Sequence, residues 1–214
     1  MTQRLRDKLY DLKQEEIIKT AGALFYEQGY SRTSMDDIAT RLGIGKPMIY
    51  THFSSKADLL AAVCNRTTAL VADLSTFALQ AEGTATHRLQ SIIHQLCLKV
   101  IEGRCLLTVL FREVKHLPDY AVEQLSENEN VFRRVIIQLL QEGRGSGEFH
   151  YRGDERIIAH AISGMTTWIH TWYQEDGPLS ADDIARNMTT NVFAMVGAEG
   201  AAEQESNARH KPER

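Results

Sequence analysis

The chain has 214 residues, 43% of them hydrophobic and 24% charged, and a formal net charge of −4. This composition is that of an ordinary soluble globular protein, with room for one large domain or two small ones. No apolar run approaches the ~20 residues of a membrane span, and the N-terminus MTQRLRDKLYDLKQEE lacks the apolar core of a secretion signal. Three cysteines, at 64, 97 and 105, form no C-x-x-C pair, which points to free thiols in a reducing cytoplasm.

Taken in order, residues 1–9 carry Arg4, Arg6 and Lys8 and read as a basic arm, either following a nucleic-acid backbone or touching nothing. Residues 10–28 predict the first helix, with Ile17, Ile18, Ala21, Leu24 and Phe25 on one stripe, and Gly29 ends it. Thr33 or Ser34 caps the next helix, with Asp36 and Asp37 placed as capping-box acids. Ile38, Ala39 and Leu42 form its apolar face and Gly43 stops it. Gly45 and Lys46 then lead into Pro47, a residue suited to a first helical turn, and Ile49, Tyr50 and Phe53 repeat at helical spacing. Two short helices joined by a glycine turn make a helix-turn-helix, whose second helix lies in the DNA major groove. Further on, the periodicity predicts helices over 55–79, 87–101, 104–117, 119–142 and 154–175. Loops fall at 80–86 and 143–154, and a break at Asp176-Gly177-Pro178. Ser180 caps a last helix whose stripe is Ile184, Met188, Val192 and Met195, and the polar residues 199–214 read as disordered. The expected fold is all-α, without strands or repeats.

The stretch Phe25-x-x-x-Gly29-Tyr30-x-x-Thr33-Ser34-Met35-x-x-Ile38-Ala39-x-x-Leu42-Gly43-Ile44-x-Lys46-x-x-Ile49-Tyr50-x-His52-Phe53-x-x-Lys56-x-x-Leu59 resembles the TetR family of one-component bacterial transcriptional regulators. It departs from the family pattern at Gly45, where Ser or Thr usually caps the recognition helix, and at Pro47, where Gly is common. The resemblance implies a helix-turn-helix domain over 1–55 and a helical effector-binding and dimerisation domain over 56–198, followed by the 199–214 tail. It also implies a homodimer on a palindromic double-stranded operator, most simply a repressor released by a small hydrophobic effector. No enzymatic activity, cofactor or membrane is implied.

By position in the motif, Thr33, Ser34, Tyr50, His52 and Lys56 are the expected phosphate contacts, which fix register without reading sequence. Met35, Lys46, Pro47, Met48 and Thr51 are placed to meet base edges: Lys46 suits guanine O6 and N7, and the apolar atoms of the others suit thymine methyls. Nine basic against eight acidic residues give positions 1–60 a balance of +1, leaving −5 for the rest. Local geometry must therefore supply the phosphate contacts. The last two helices are the expected dimer face, as two such hairpins make a four-helix bundle.

The stretch Gly164–Tyr173 with Asp176–Ser180, and REVKHLP over 112–118, is similar to the branch of the family that senses acyl-CoA thioesters. Such a ligand needs cations for its phosphates, for which Arg104, Arg112, Arg133 and Arg134 are available, and an apolar slot, for which Phe111, Met165 and Trp168 are available. A rival from another class is a helical-bundle metalloenzyme using Glu113 and His116, since Glu-x-x-His is a di-iron ligand pair. Such a bundle needs two such pairs plus two further carboxylates, and the second pair is missing.

Overall fold

The computed structural model describes residues 3–198, which form ten α-helices and one short 3-10 turn, with no strand among the described residues. The helices are α1 (Gln3–Gln28), α2 (Met35–Leu42), α3 (Lys46–Tyr50), α4 (Lys56–Gln80), α5 (Ala85–Glu102), α6 (Arg104–Glu113), α7 (Asp119–Ser146), α8 (Glu155–Thr167), α9 (Ile169–Trp172) and α10 (Ala181–Val196); the 3-10 turn is Val114–His116. They gather into two compact units, Met1–Ala69 with Gly103–Glu127, and Leu70–Glu102 with Asn128–Arg214. The units do not follow one cut in the chain, because α4 and α7 each begin in the first and end in the second.

The first unit is built on α1. Ile17, Ala21, Leu24 and Phe25, the stripe expected from spacing, are buried together with Ile38 of α2, Ile49 of α3 and Leu59, Leu60 and Val63 of α4. Each of these side chains larger than alanine contributes about 1.5–3 kcal/mol relative to exposure. α6 lies against α1, and the approach is close: a Cβ on Gly22 would stand 2.4 Å from Leu106 Cδ2. The chain start differs from the sequence expectation. Residues 3–9 are not an arm but the first turns of α1. Their continuation is held by tertiary contact, since the Tyr10 ring lies 4.1 Å from the His52 ring and the Tyr10 hydroxyl donates to Thr51 O at 3.2 Å.

In the second unit α5 is central and lies against α8, α9 and α10. It buries Leu89, Ile92, Ile93, Leu96, Cys97, Val100 and Ile101 on one broad face. α10 starts at a capping box between Ser180 and Asp183, as its sequence predicts, and buries Ile184, Val192, Phe193 and Val196, whereas Met195 stays 37% exposed. The helix predicted over 154–175 is interrupted at Trp168, between α8 and α9. α7 continues past Gly143 and ends before Gly147, which takes φ +79; Gly143 leaves room for Phe149 to fold back over the helix, since a Cβ there would stand 2.1 Å from the Phe149 ring. Burial pushes the Cys64 and Cys97 thiols up to about 12, which leaves both protonated and unreactive. The disorder expected for 199–214 lies outside the described residues.

The N-terminus of α5 is capped by Thr84, whose hydroxyl accepts the His87 N–H at 3.2 Å, and takes a second acceptor from afar. The Glu148 carboxylate accepts the Thr86 N–H at 2.8 Å and the Ser146 hydroxyl at 2.7 Å. Burial works to raise the Glu148 pKa, but these donors outweigh it and hold the carboxyl at about 2, against an ordinary 4.5. A carboxylate lowered in the folded state stabilises above its unfolded pKa and loses that contribution as pH falls through the folded one. Glu148→Ala should therefore cost about 1 kcal/mol at neutral pH, the worth of a lost helix cap. In chemical denaturation the difference from wild type should hold steady above pH 4.5 and shrink as pH approaches 2.

Candidate nucleic-acid interface

Ser34 begins the site. Its backbone is extended, its hydroxyl accepts the Asp37 N–H at 3.1 Å, and the Asp37 carboxylate accepts the Ser34 N–H at 2.7 Å. The hydrogen bonds from Ser34 hold Asp37 below the usual carboxylate range. At the other end of α2, Gly43 takes φ +65, the left-handed region, and the Ile44 N–H returns to Ala39 O, so the chain reverses without a Cβ clash. Gly45 then caps α3 with no side-chain hydrogen bond, and a proline stands in the first turn. Ile49 and Phe53 are buried. Anchored on this side, α3 turns Lys46, Pro47, Met48 and Tyr50 to solvent, with Thr51 beside them.

These exposed side chains are not all idle. The Lys46 ammonium donates to Asp36 on α2 at 2.7 Å, which raises its pKa. Met48 Sδ lies 3.7 Å from Lys13 Nζ. The Thr51 hydroxyl donates back to Met48 O at 2.7 Å, and Tyr50 is 47% exposed. His52 is lowered, first by burial and then by the charge of Lys13, so at neutral pH it presents an uncharged ring. Beside α3, a hollow of about 340 Å³ is lined by Leu9, Leu12, Ile17, Leu42, Ile44 and Met48, with Lys13 and Glu16 at its rim.

Three expected contacts do not reach this face. Thr33 is 1% exposed and its hydroxyl is directed at Gly29 O, 2.9 Å away, and Leu24 O, 3.3 Å away. Met35 is 6% exposed and belongs to the core. The Lys56 ammonium donates to Tyr30 O and Thr33 O, both at 2.9 Å, and lies 4.3 Å above the Tyr30 ring. Conversely, Tyr10, Lys13 and Asp36 join the site without having been expected there. For Tyr10 and Lys13 the available signal was the i, i+4, i+7 run of Leu5, Leu9 and Leu12, which extends an amphipathic helix toward the N-terminus. Nothing in the sequence marks Asp36 as the partner of Lys46.

Of the candidate effector residues, Arg104, Phe111 and Arg112 lie on α6 in the first unit, and Met165 and Trp168 lie in the second. Phe111 is 57% and Trp168 65% exposed, so neither is enclosed within the chain's own core. The metal reading fails on its donor set. Glu113 and His116 stand 3.7 Å apart, and no group of three or more His, Cys, Asp or Glu able to hold an ion occurs among the described residues.

A capped helix, a left-handed glycine turn and a second helix anchored on its inner side define a helix-turn-helix DNA-binding protein. Residues 17–63 match the family described as bacterial regulatory proteins, tetR family, and residues 82–196 match the tetracyclin repressor-like C-terminal domain. The chain belongs to the TetR family of transcriptional regulators, and the enzyme alternative is set aside with that assignment. Among its relatives is the HTH-type transcriptional repressor KstR2 of Mycolicibacterium smegmatis, 28% identical over 189 residues, covering 86% of this chain and 90% of the relative. A tetR-family protein from Rhodococcus RHA1 shares the fold with a TM-score of 0.79 at 22% identity, over 87% of this chain and 98% of that one. AibR, crystallised with isovaleryl coenzyme A and operator DNA, superposes with a TM-score of 0.73 at 23% identity, over 86% and 98% of the two chains.

Lys46→Ala should weaken DNA binding and reduce the salt dependence of log K by about one cation's contribution. Asp36→Asn, which frees the ammonium and removes a negative charge, should strengthen binding to random-sequence duplex. Fluorescence anisotropy over a NaCl series, on selected and on random duplexes, measures both.

Proposed function

We propose that the chain is a homodimeric repressor in which α3 of each subunit enters the major groove of a palindromic operator. An acyl-CoA thioester releases it. The observation carrying the DNA half is the face of α3: Ile49 is buried, while Lys46, Pro47, Met48, Tyr50 and Thr51 are turned outward behind a capped α2. In this reading Lys46 exchanges Asp36 for a guanine edge, and Pro47, Met48 and Thr51 meet thymine methyls. Tyr50 and His52 take phosphates, and Ser34 sits at the helix N-terminus that seats another. Thr33, Met35 and Lys56 act from behind the surface. Thr33 and Lys56 hold the α1–α2 loop, and Met35 packs beneath α2. A genomic operator places the protein in the cytoplasm.

Dimerisation is supported by side chains that the chain leaves uncovered. Ile157 is 69%, Trp168 65% and Trp172 42% exposed, and Ala161 and Gly164 between them are exposed too. The positions 157, 161, 164, 168 and 172 recur at helical spacing. A large apolar stripe with small residues at its centre suits a close twofold helix contact. Pairing it with the outer face of α10 builds a four-helix bundle. We assign Trp168 to this interface and leave Arg104, Phe111 and Arg112 of the first unit as the effector's contacts, the arginines for its phosphates and the phenylalanine for its acyl chain. The acyl-CoA class is supported by the resemblance of 112–118 and 164–180 to the acyl-CoA-sensing branch, and by the likeness to AibR, which binds isovaleryl coenzyme A. Operator and effector then compete because they favour different arrangements of the dimer, by no more than the effector's difference in affinity between the two.

Sedimentation of the wild-type chain should show a dimer, and Ile157→Glu should convert it to a monomer that loses the palindrome but remains folded. Acyl-CoAs of increasing chain length, titrated into the wild-type complex, should release the operator with a preferred length, whereas free coenzyme A should not. A monomeric wild type defeats the dimer; indifference to the whole series at saturation defeats the effector class.

A further inference from the structure

The pair Glu113 and His116, spaced like metal ligands but unable to form a site, has a different use. It lies where the end of α6 meets the loop between α1 and α2. The Glu113 side chain is 14% exposed, and its Oε1 accepts the Tyr30 N–H at 3.4 Å. Its other oxygen lies 3.7 Å from His116 Nε2. The His116 ring covers the Tyr30 ring at 5.2 Å with a 31° tilt, and Phe25 meets that ring edge-on at 5.3 Å. A carboxylate this far from water is costly unless its oxygens have donors. Here the donor is a backbone N–H of the head, and the imidazole of the same short turn stands beside the carboxylate at ion-pair distance.

Tyr30 is followed within four residues by Ser34, the N-cap of α2. The loop between them is tied at both carbonyls by Lys56 and internally by the Thr33 hydroxyl. Fixing Tyr30 from α6 therefore fixes where α2 begins, and α3 follows from α2 through the Gly43 turn. A second strap acts nearby: the Tyr120 hydroxyl, in the first turn of α7, donates to Asp58 at 2.8 Å, and Asp58 also accepts Ser55 Oγ at 2.8 Å in the first turn of α4. The segment from α6 to the start of α7 is thus built into the head although it is distant in sequence.

We propose that Glu113 and His116 are positioning residues for operator binding: they clamp the α1–α2 loop at Tyr30 and set the orientation of the helix-turn-helix without touching DNA. Any shift of α6 along α1 would then alter the presentation of α3. The inference rests on α3 being the DNA-facing helix.

The test compares operator affinity over a NaCl series for wild type, Glu113→Ala, Glu113→Gln, His116→Ala and Lys46→Ala, on a duplex that the wild type selects from random DNA. Amide hydrogen exchange over 30–38 is followed in the free proteins. Glu113→Ala should weaken specific binding by about tenfold or more, the effect of losing a buried hydrogen-bonded partner, with an unchanged salt slope and faster exchange at Asp37 and Ile38. Glu113→Gln, which keeps an acceptor for Tyr30 N–H, should recover most of the affinity. Should Glu113→Ala not fold, His116→Ala carries the same expectation. Wild-type affinity and exchange in both Glu113→Ala and His116→Ala overturn the proposal, as does a loss of affinity in either with exchange unchanged. If Lys46→Ala leaves affinity and slope untouched while Glu113→Ala speeds exchange, the clamp stands and the assignment of α3 as the reading helix fails.

Discussion

The head depends on one half-buried cation. The loop from Gly29 to Ser34 joins α1 to α2, and its carbonyls cannot all find helical partners. Lys56, in the first turn of α4, satisfies two of them with one ammonium, at Tyr30 O and Thr33 O, and rests on the Tyr30 ring. Hydrogen bonds with a charged donor are about twice as strong as neutral ones, and at Tyr30 O the ammonium adds to the Thr33 N–H, which the same oxygen accepts at 3.3 Å. The same loop presents Ser34 as the cap of α2. One side chain thus links the end of α1, the start of α2 and the start of α4, and α3 inherits its place from them.

With that frame set, the short α3 needs only a buried inner side. Five residues are too few for a helix to hold itself, so Ile49 and Phe53 supply the anchor and the outward residues are free to vary. The electrostatics of the face are unusual for a DNA binder. Asp36 and Asp37 stand at the head of α2, where they favour the helix dipole and oppose a phosphate. Asp37 is occupied in capping, and Asp36 is occupied by Lys46. The acids are thereby partly neutralised, and the lysine is held close to where it would read a base. Binding by such a surface rests on fit more than on bulk attraction, in keeping with a chain of net charge −4.

The second unit follows a different logic. α8, α9 and α10 lie against α5, whose apolar face is buried while His87, Gln95, Lys99 and Glu102 stay exposed. α8 and α10 cover it with one face each and leave the other to solvent. On α8 that outer face carries Ile157 and, past its end, Trp168 and Trp172, more apolar area than a lone chain has reason to expose.

Much was legible in the sequence because it is written in local rules. The Gly43 turn, the Ser34 and Ser180 capping boxes and the stripes of α1, α5 and α10 depend on residues within one or two turns of each other, where spacing and backbone freedom decide. The TetR family assignment is likewise carried by a contiguous motif. What the tertiary structure alone decided involves partners far apart in the chain. Tyr10 on His52 keeps the first turns of α1 helical, where the charges of Arg4, Arg6 and Lys8 read as an arm. Lys56 and Thr33 match phosphate-contact positions, yet their polar atoms are directed at loop carbonyls. Glu113 and His116 have the spacing of metal ligands, and it is Tyr30, 83 residues before Glu113, that gives them their use. A local pattern specifies which face a side chain leaves its helix by; only the packed chain specifies what that side chain finds there.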